Sequence, residues 1–219
     1  MECAIACPSE ALAQVGREMS VEEVVEALLK DKPFYDESGG GVTLSGGEPT
    51  LHLNYVSLLA KRLKEKKIHT LLETCGYFDL KRFRRFLYPS LDTIYFDVKI
   101  VNEKDHKRFC GRGNRLLLDN FAFLYGQYKE GGVEVLPRVP LVPGVTDTAK
   151  NIDAIVSLFR EIGVVCTRLI PYHPIWQDKI RHLGIATADI EKGKLDSWMS
   201  EERIRECERE FHAAGIDTC

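Results

Sequence analysis

The stretch that decides the fold is residues 68–99, IHTLLETCGYFDLKRFRRFLYPSLDTIYFDVK. It begins and ends with apolar, β-branched runs, at 68–74 and 93–99, that are typical of buried strands. Between these runs Asp79 is placed to cap a helix, in which Phe83 and Leu87 lie four residues apart on one face. A strand, a helix and a second strand in this order predict a right-handed βαβ unit with parallel strands.

The same alternation continues along the chain in both directions. Ser20 and Glu23 form a capping-box pattern before a helix, and residues 39–45 indicate a glycine turn that leads into a short strand. The remaining predicted elements are helices at 54–66, 146–161 and 200–214 and strands at 133–141 and 164–170. We therefore predict an α/β fold, a partial, open (β/α) barrel of parallel strands, over residues 17–219. Residues 1–16 do not share the alternation.

The composition favours a cytoplasmic globular protein. Of 219 residues, 44% are hydrophobic and 29% charged, and the net charge of -3 offers no basic surface for nucleic acid or an acidic membrane. No apolar run approaches the roughly 18 residues that a membrane span requires, and no signal peptide opens the chain.

The seven cysteines are odd in number and scattered, which argues against a disulfide framework. Cys110, Cys166 and Cys207 are interpreted as buried single thiols, and Cys75 as a small packed residue. His106 is interpreted as a surface position on a helix.

Polar residues recur where the predicted strands end. They are Glu48, Glu73, Asp97, Lys99, Arg138 and His173. In a (β/α) barrel these ends gather at one rim, where ligands bind and catalysis occurs. We therefore predict a ligand site there, with paired structural charges that close the barrel as the alternative.

The loop at 45–49, SGGEP, adds to this prediction. Gly46 and Gly47 would let the backbone approach a ligand, and Glu48 supplies a carboxylate for a cation. A tight strand-to-helix turn would explain the loop equally well. The spacing is not that of a phosphate-binding loop or a dinucleotide fingerprint.

Five segments, in this order and spacing, resemble the glycyl radical enzyme activating enzymes of the radical S-adenosylmethionine (SAM) superfamily, such as the pyruvate formate-lyase activating type. They are 39–49 (GGGVTLSGGEP), 73–77 (ETCGY), 97–99 (DVK), Arg138 with 142–147 (VPGVTD), and 171–173 (PYH). The resemblance covers nearly the whole chain.

The resemblance implies roles for these residues. Gly46, Gly47 and Glu48 would hold the methionine amino group of SAM. The remaining implied SAM contacts are Asp97, Val98, Lys99 and His173, with Arg138 nearby. Glu73 stands where the family commonly has an aspartate that is sometimes implicated in a monovalent cation site.

The implied reaction needs a reduced [4Fe–4S] cluster, which cleaves SAM to a 5′-deoxyadenosyl radical. That radical takes a hydrogen atom from a glycine of a partner glycyl radical enzyme, and flavodoxin or ferredoxin would donate the electron.

The family's C-x3-C-x2-C motif is absent from this sequence. Cys3 and Cys7 have its first spacing, but Glu10 stands where the third cysteine would fall. The segment 3–12, CAIACPSEAL, instead resembles the end of a ferredoxin motif, so Cys3 and Cys7 would be the last two ligands of an auxiliary cluster. A degenerate catalytic motif and cysteines without metal are the alternatives.

We accordingly expect residues 1–16 to be a remnant of a ferredoxin-like insert, followed by a barrel whose first strand is missing. Such a chain would be inactive alone. Two further hypotheses are a non-catalytic SAM- or peptide-binding module and an unrelated (β/α) enzyme that uses Glu48, Asp97, Lys99 and His173 for acid–base chemistry.

Overall fold

The computed structural model describes residues 6–9, 11, 16–175 and 195–219. These residues form one six-stranded sheet in which the strands follow each other in sequence order and every neighbouring pair is parallel. The strands are β1 (Gly41–Leu44), β2 (His69–Thr74), β3 (Thr93–Asp97), β4 (Glu134–Leu141), β5 (Cys166–Pro171) and β6 (Asp217–Thr218). Because β1 and β6 are edges and do not pair, the predicted open (β/α) arrangement is confirmed.

Helices separate the strands. They are α1 (Val21–Leu29), α2 (Lys32–Ser38), α3 (Leu53–Glu65), α4 (Leu80–Phe86), α5 (Glu103–Cys110), α6 (Arg115–Lys129), α7 (Ala149–Ile162) and α8 (Glu201–Ala213). Helix α2 and strand β6 were not predicted, and the sequence did not separate α5 from α6. Within the described ranges, no helix has the length and apolarity to cross a membrane.

Side-chain caps begin several of these helices. Ser20 and Glu23 form the predicted capping box before α1, with the Ser20 hydroxyl 3.2 Å from the Glu23 backbone nitrogen. The Asp79 carboxylate accepts from the Arg82 backbone N–H at 2.8 Å. Each cap satisfies a backbone N–H that has no partner inside its helix, which is why these residues mark the helix starts.

A row of buried aromatic rings joins the sheet to its helices. Phe96 of β3 lies 5.1 Å from Phe121 of α6, centroid to centroid, and Phe121 lies 5.6 Å from Phe159 of α7. Phe159 in turn lies 6.1 Å from Phe211 of α8. All four side chains are fully buried. The row therefore fixes β3, whose end carries part of the predicted site, against three helices.

Burial alternates along the strands. In β4, Val135 and Val139 are buried beneath helices, whereas Arg138 points to the opposite face and is half-buried. The concave face of the open sheet is only partly covered, and charged side chains at the strand ends can remain in contact with water there.

The C-terminal edge of the sheet contains a covalent link. Cys166, the first residue of β5, forms a disulfide with Cys219, so the interpretation of Cys166 as a single thiol is wrong. Cys207 is a buried thiol, as predicted.

Candidate functional site

Hydrogen bonds hold Glu48 in the loop after β1. Its carboxylate accepts from the Thr74 hydroxyl, 2.9 Å from Oε1, and from the Cys75 backbone N–H, 2.8 Å from Oε2. The Thr50 hydroxyl donates to it at 2.6 Å. Glu48 therefore connects the end of β1 to the end of β2, and this connection positions the two glycines that precede it.

Those two glycines leave the main chain uncovered. Gly46 has φ of +128°, a conformation that residues with a side chain rarely adopt. A Cβ atom added at Gly46 or Gly47 would meet nothing within 4 Å. The backbone of this loop is therefore accessible to a ligand, as a loop that binds through main-chain groups requires.

A second group of charged residues lies across β2, β3 and β4. Arg138 of β4 contacts two carboxylates. Its Nη1 lies 2.6 Å from Oε1 of Glu73, the last residue but one of β2, and its Nη2 lies 2.8 Å from Oδ1 of Asp97. Lys99 Nζ lies 3.1 Å from the second Asp97 oxygen, and the Ser45 hydroxyl donates to Glu73 at 2.6 Å. The register that pairs Asp97 with Arg138 brings these residues together. We call this set the strand-end network.

The electrostatics of this network favour a positively charged ligand group. Burial opposes the charge of Arg138, but Asp97 and Glu73 outweigh that effect and raise the pKa of Arg138 above its ordinary value. With Glu48 included, the carboxylates of Glu48, Glu73 and Asp97 outnumber the cations of Lys99 and Arg138 by one. An ammonium or sulfonium group would balance this charge.

A cavity of about 330 Å³ opens beside the network. Glu48, Asp97 and Lys99 line one side of it, so the structure brings three predicted site residues into a single cavity. Its other walls come from the loop after β2 and from α5, α6 and the loop between them. The complete lining is Glu48, Leu51, Cys75, Tyr77, Asp97, Lys99, His106, Cys110, Arg112 and Leu117.

The sequence interpretation missed the α5 side of this cavity. His106 is only 6% exposed and is not a surface residue, and Cys110 is exposed where a buried thiol was expected. The available signal was spacing, because His106 precedes Phe109 and Cys110 by three and four residues and so shares the sole apolar stripe of α5. Cys75, thought to be a packing residue, also faces the cavity.

Two of the predicted site residues lie apart from the network. The Val98 side chain is fully buried in the core, so only its backbone, which donates to the Arg138 carbonyl at 2.8 Å, adjoins the network. His173 is exposed, and its ring lies 5.8 Å from that of Trp198. In the described part of the chain, no hydrogen bond or ion pair links His173 to the network.

The described residues do not fit a [4Fe–4S] cluster. No group of three or more His, Cys, Asp or Glu side chains among them is arranged to hold a metal ion. Burial is the main cause that raises the pKa of Cys75 and of Cys207 to about 11, so both are neutral thiols near pH 7. Cys7 lies 3.6 Å from the Ser9 hydroxyl, sulfur to oxygen, and the predicted partner ligand Cys3 lies outside the described residues.

Known proteins resemble this chain in sequence. The model of the "Radical SAM superfamily" matches residues 6–181. The isethionate sulfite-lyase activating enzyme of Nitratidesulfovibrio vulgaris is 36% identical over 195 residues, which cover 86% of this chain and 62% of that enzyme. The trans-4-hydroxy-L-proline dehydratase activating enzyme of Clostridioides difficile is 32% identical over 207 residues, which cover 93% of this chain and 66% of the enzyme. The chain therefore spans about two thirds or less of the length of these relatives.

A solved structure shares the fold. A domain of pyruvate-formate lyase-activating enzyme from Bacteroides vulgatus superposes with a TM-score of 0.63 and 24% identity, covering 82% of this chain and 98% of that domain. The proteins of this superfamily use SAM and a [4Fe–4S] cluster. Family match, relatives and fold together show that the chain belongs to the radical SAM superfamily, and that its relatives there are the activating enzymes of glycyl radical enzymes.

Proposed function

We propose that this chain supplies the SAM site and the partner-facing rim of a glycyl radical enzyme activating enzyme. The observation that carries the proposal is the juxtaposition of the open Gly46–Gly47 backbone, the held Glu48 and the strand-end network at one rim. In a chain of this superfamily, such a rim has the groups that SAM requires. It offers the main-chain carbonyls of Gly46 and Gly47 for an ammonium, excess negative charge for a sulfonium and the Lys99 cation for a carboxylate.

Each group would act on SAM through binding and orientation. The main-chain groups of Gly46 and Gly47, with Glu48 behind them, would hold the amino end. Lys99, already fixed by Asp97, would pair with the SAM carboxylate, and His173 would contact the nucleoside from the end of β5. Arg138 touches carboxylates on both sides, so it would keep the site in one geometry before SAM arrives.

The cluster chemistry has to be assigned elsewhere. A reduced [4Fe–4S] cluster supplies the electron that cleaves SAM in this superfamily, and the described thiols do not fit it. Because C-x3-C-x2-C is absent from the sequence, we propose that this polypeptide does not form a glycyl radical by itself. Cys3 and Cys7 remain proposed ligands of an auxiliary cluster.

The proposed partners follow from the same relatives. The substrate would be a glycine-containing loop of a glycyl radical enzyme, and a flavodoxin or ferredoxin would deliver the electron. The net charge of -3 supports action on a protein rather than on nucleic acid or a membrane. We propose a cytoplasmic location, in which the Cys166–Cys219 disulfide would be an exception beside free thiols such as Cys207.

The test measures 5′-deoxyadenosine formed from SAM after anaerobic reconstitution with iron, sulfide and a reductant. We expect none from this chain, and turnover from a fusion in which a segment carrying C-x3-C-x2-C precedes residue 1. In that fusion Lys99→Met should weaken SAM binding, whereas Lys129→Met, on the far end of α6, should not. Turnover by the unfused chain would contradict the proposal.

A second candidate is a non-catalytic module that binds SAM or a peptide. It is favoured by the finding that, within the described ranges, no three His, Cys, Asp or Glu side chains are arranged to hold a metal ion. Calorimetry with SAM and the unfused chain separates the two candidates when it is combined with the fusion. Binding by the chain together with an inactive but cluster-loaded fusion would support the module.

A further inference from the structure

We propose that the cavity beside α5 is the docking site for an extended segment of the partner polypeptide, and that His106 Nε2 accepts a backbone amide N–H of that segment. The inference rests on the proposed function, because it names how the substrate protein is held at the same rim. It concerns residues that neither the family resemblance nor the relatives assign to a role.

The state of the His106 ring is fixed by its one protein partner. Nδ1 lies 2.6 Å from the backbone carbonyl oxygen of Arg112. A carbonyl can only accept, so Nδ1 carries the proton, and in the neutral ring Nε2 is a bare acceptor. This is a residue whose orientation is set by the loop that follows α5.

Nε2 has no hydrogen-bond partner among the described residues, although His106 is only 6% exposed. The atom is also not one of those sealed from solvent without a partner. Since His106 lines the cavity and Nδ1 is bonded to Arg112, we infer that Nε2 is the ring nitrogen that faces the cavity. A buried, oriented acceptor with no protein donor is a group that awaits a ligand.

The cavity shares Glu48, Asp97 and Lys99 with the proposed SAM site and extends beyond it. SAM contacts are proposed along the rim from Glu48 to His173, but neither Arg138 nor His173 lines the cavity. The cavity extends the other way, past Lys99 toward α5 and α6. A SAM molecule laid along the rim would therefore leave the His106 side vacant and adjacent to it.

The surroundings favour a neutral N–H donor. The acceptors of Glu48 already receive hydrogen bonds from Thr74 and Cys75, and those of Asp97 are paired with Arg138 and Lys99. The cavity is also lined by the apolar Leu117 and by the thiols of Cys75 and Cys110. Partial burial is the main cause that raises the pKa of each thiol, so both stay protonated at neutral pH. A peptide amide suits a neutral imidazole in such walls better than a cation does.

The mouth of the cavity suits a polypeptide. Leu51 is 73% exposed at its edge, and the Arg112 guanidinium lies 4.9 Å from the centre of the Tyr77 ring. An exposed apolar side chain next to an aromatic–arginine pair is the combination that protein interfaces use as anchors. The volume of about 330 Å³ admits a short segment with small side chains, such as one centred on glycine.

Two substitutions distinguish the role of Nε2 as an acceptor from the role of Nδ1 as a donor to the Arg112 carbonyl. His106→Asn can keep a donor to the Arg112 carbonyl but lacks an acceptor at the Nε2 position. His106→Gln can place an oxygen near that position but loses the donor. Both are compared with the parent chain and with His52→Leu, a change at an exposed histidine outside the cavity.

The probes are the peptide acetyl-Ser-Ala-Gly-Ala-Ser-amide, the same peptide with N-methylglycine at the centre, and SAM. Binding is followed by NMR of ¹⁵N-histidine-labelled protein, which also reports the tautomer of each ring. We expect a protonated Nδ1 in the free chain and a shift of the Nε2 resonance on addition of the first peptide. His106→Asn and N-methylation should each weaken binding about fivefold, the value of one neutral hydrogen bond, with no further loss when they are combined.

Three results would overturn the proposal. They are a protonated Nε2 in the free chain, no response of His106 to the peptide, or a loss in His106→Asn of SAM affinity rather than peptide affinity. None of these measurements needs a cluster, so failure here is distinct from an inactive fusion, which would count against the proposed function.

Discussion

Replacing Arg138 by leucine should be among the most destabilising single changes at the rim. The substitution removes hydrogen bonds of 2.6 Å to Glu73 and 2.8 Å to Asp97, and leaves two carboxylates without their shared cation. The side chains of Arg138 and Asp97 are only 15% and 18% exposed, so water can replace little of what is lost. Loss of one partner from a buried ion pair costs about 3–5 kcal/mol, and the partial exposure here lowers the expected cost to about 3 kcal/mol at pH 7.

The stability deficit of Arg138→Leu should also depend on pH. Arg138 stays charged at every pH at which the chain folds, since its pKa is raised, so the parent keeps the cation that Glu73 and Asp97 share. In Arg138→Leu the unpaired carboxylates favour protonation in the folded state. By linkage, the stability of the variant then falls as pH rises, so its deficit relative to the parent should be smaller at pH 4.5 than at pH 7.

Urea unfolding of parent and variant at pH 7 and pH 4.5 tests this reasoning. Arg115→Leu is the matched control. The Arg115 side chain is 91% exposed and its ion pair with Asp119 is long, at 3.9 Å, so its removal should cost less than about 0.5 kcal/mol. Adding Asp97→Asn to Arg138→Leu should restore part of the stability at pH 7. A deficit below about 1 kcal/mol, or one that grows toward pH 4.5, would show that the network is solvated and that its pairing does not hold the rim together.

Three further changes test other parts of the structure. Gly76→Ala should lower the free energy of unfolding in urea by more than about 2 kcal/mol, because Gly76 has φ of +80° and a Cβ there would lie 2.0 Å from the Phe96 ring. Gly131→Ala is the control: φ is +86° but the space is open, so the cost should be only about 1 kcal/mol. Burial, and then the nearby Glu48 carboxylate, raise the pKa of Cys75 to about 11, so at pH 7.5 mass spectrometry should find its alkylation by iodoacetamide roughly 300-fold slower than that of a free cysteine, with a tenfold rise per pH unit up to that pKa. Ser20→Ala removes one half of a capping box and should cost about 1 kcal/mol in thermal unfolding, whereas Ser20→Asp should cost much less; equal losses would contradict the role of the cap.

Local signals in the sequence predicted most of the fold. The Asp79 cap, the 3.6-residue spacing of Phe83 and Leu87, and the β-branched strands each depend on neighbours in the chain, and the structure contains all of them. Phe86 is the exception within that helix. It is apolar yet 45% exposed, because a helix of seven residues has too few turns for the apolar stripe to define its orientation.

The strand-end residues were predictable for a different reason. Parallel strands joined by helices bring all their carboxyl ends to the same rim, so Glu73, Asp97 and Arg138 had to meet once the βαβ units were recognised. Which of them pair was not predictable, because the register that sets Asp97 opposite Arg138 is a tertiary property. His106 was missed on the same account, since its ring is oriented by a carbonyl beyond the end of its own helix.

Buried asparagines determine the shape of the loops that carry the site, and no sequence pattern indicated this role. The Asn120 amide donates to the carbonyls of Gly76 and Phe78, 2.8 and 2.9 Å away. Asn151 donates to the carbonyl of Lys99 at 2.9 Å and accepts from the Val101 N–H at 3.2 Å.

These contacts join residues 42 to 52 positions apart along the chain, so no local pattern reveals them. Both asparagines project from helices whose positions are set by the aromatic row around Phe121 and Phe159, and both side chains are buried. The backbone that follows β2 and β3 is therefore held from the core side, while the ion pairs of the network hold the side chains from the rim side. A ligand that binds there meets groups already in place, so binding energy is not spent on ordering them. It follows that Asn151→Ala should weaken SAM binding by moving Lys99, even though Asn151 does not line the cavity beside the network. An unchanged SAM affinity in a folded Asn151→Ala chain would show that the rim orders only when its ligand binds.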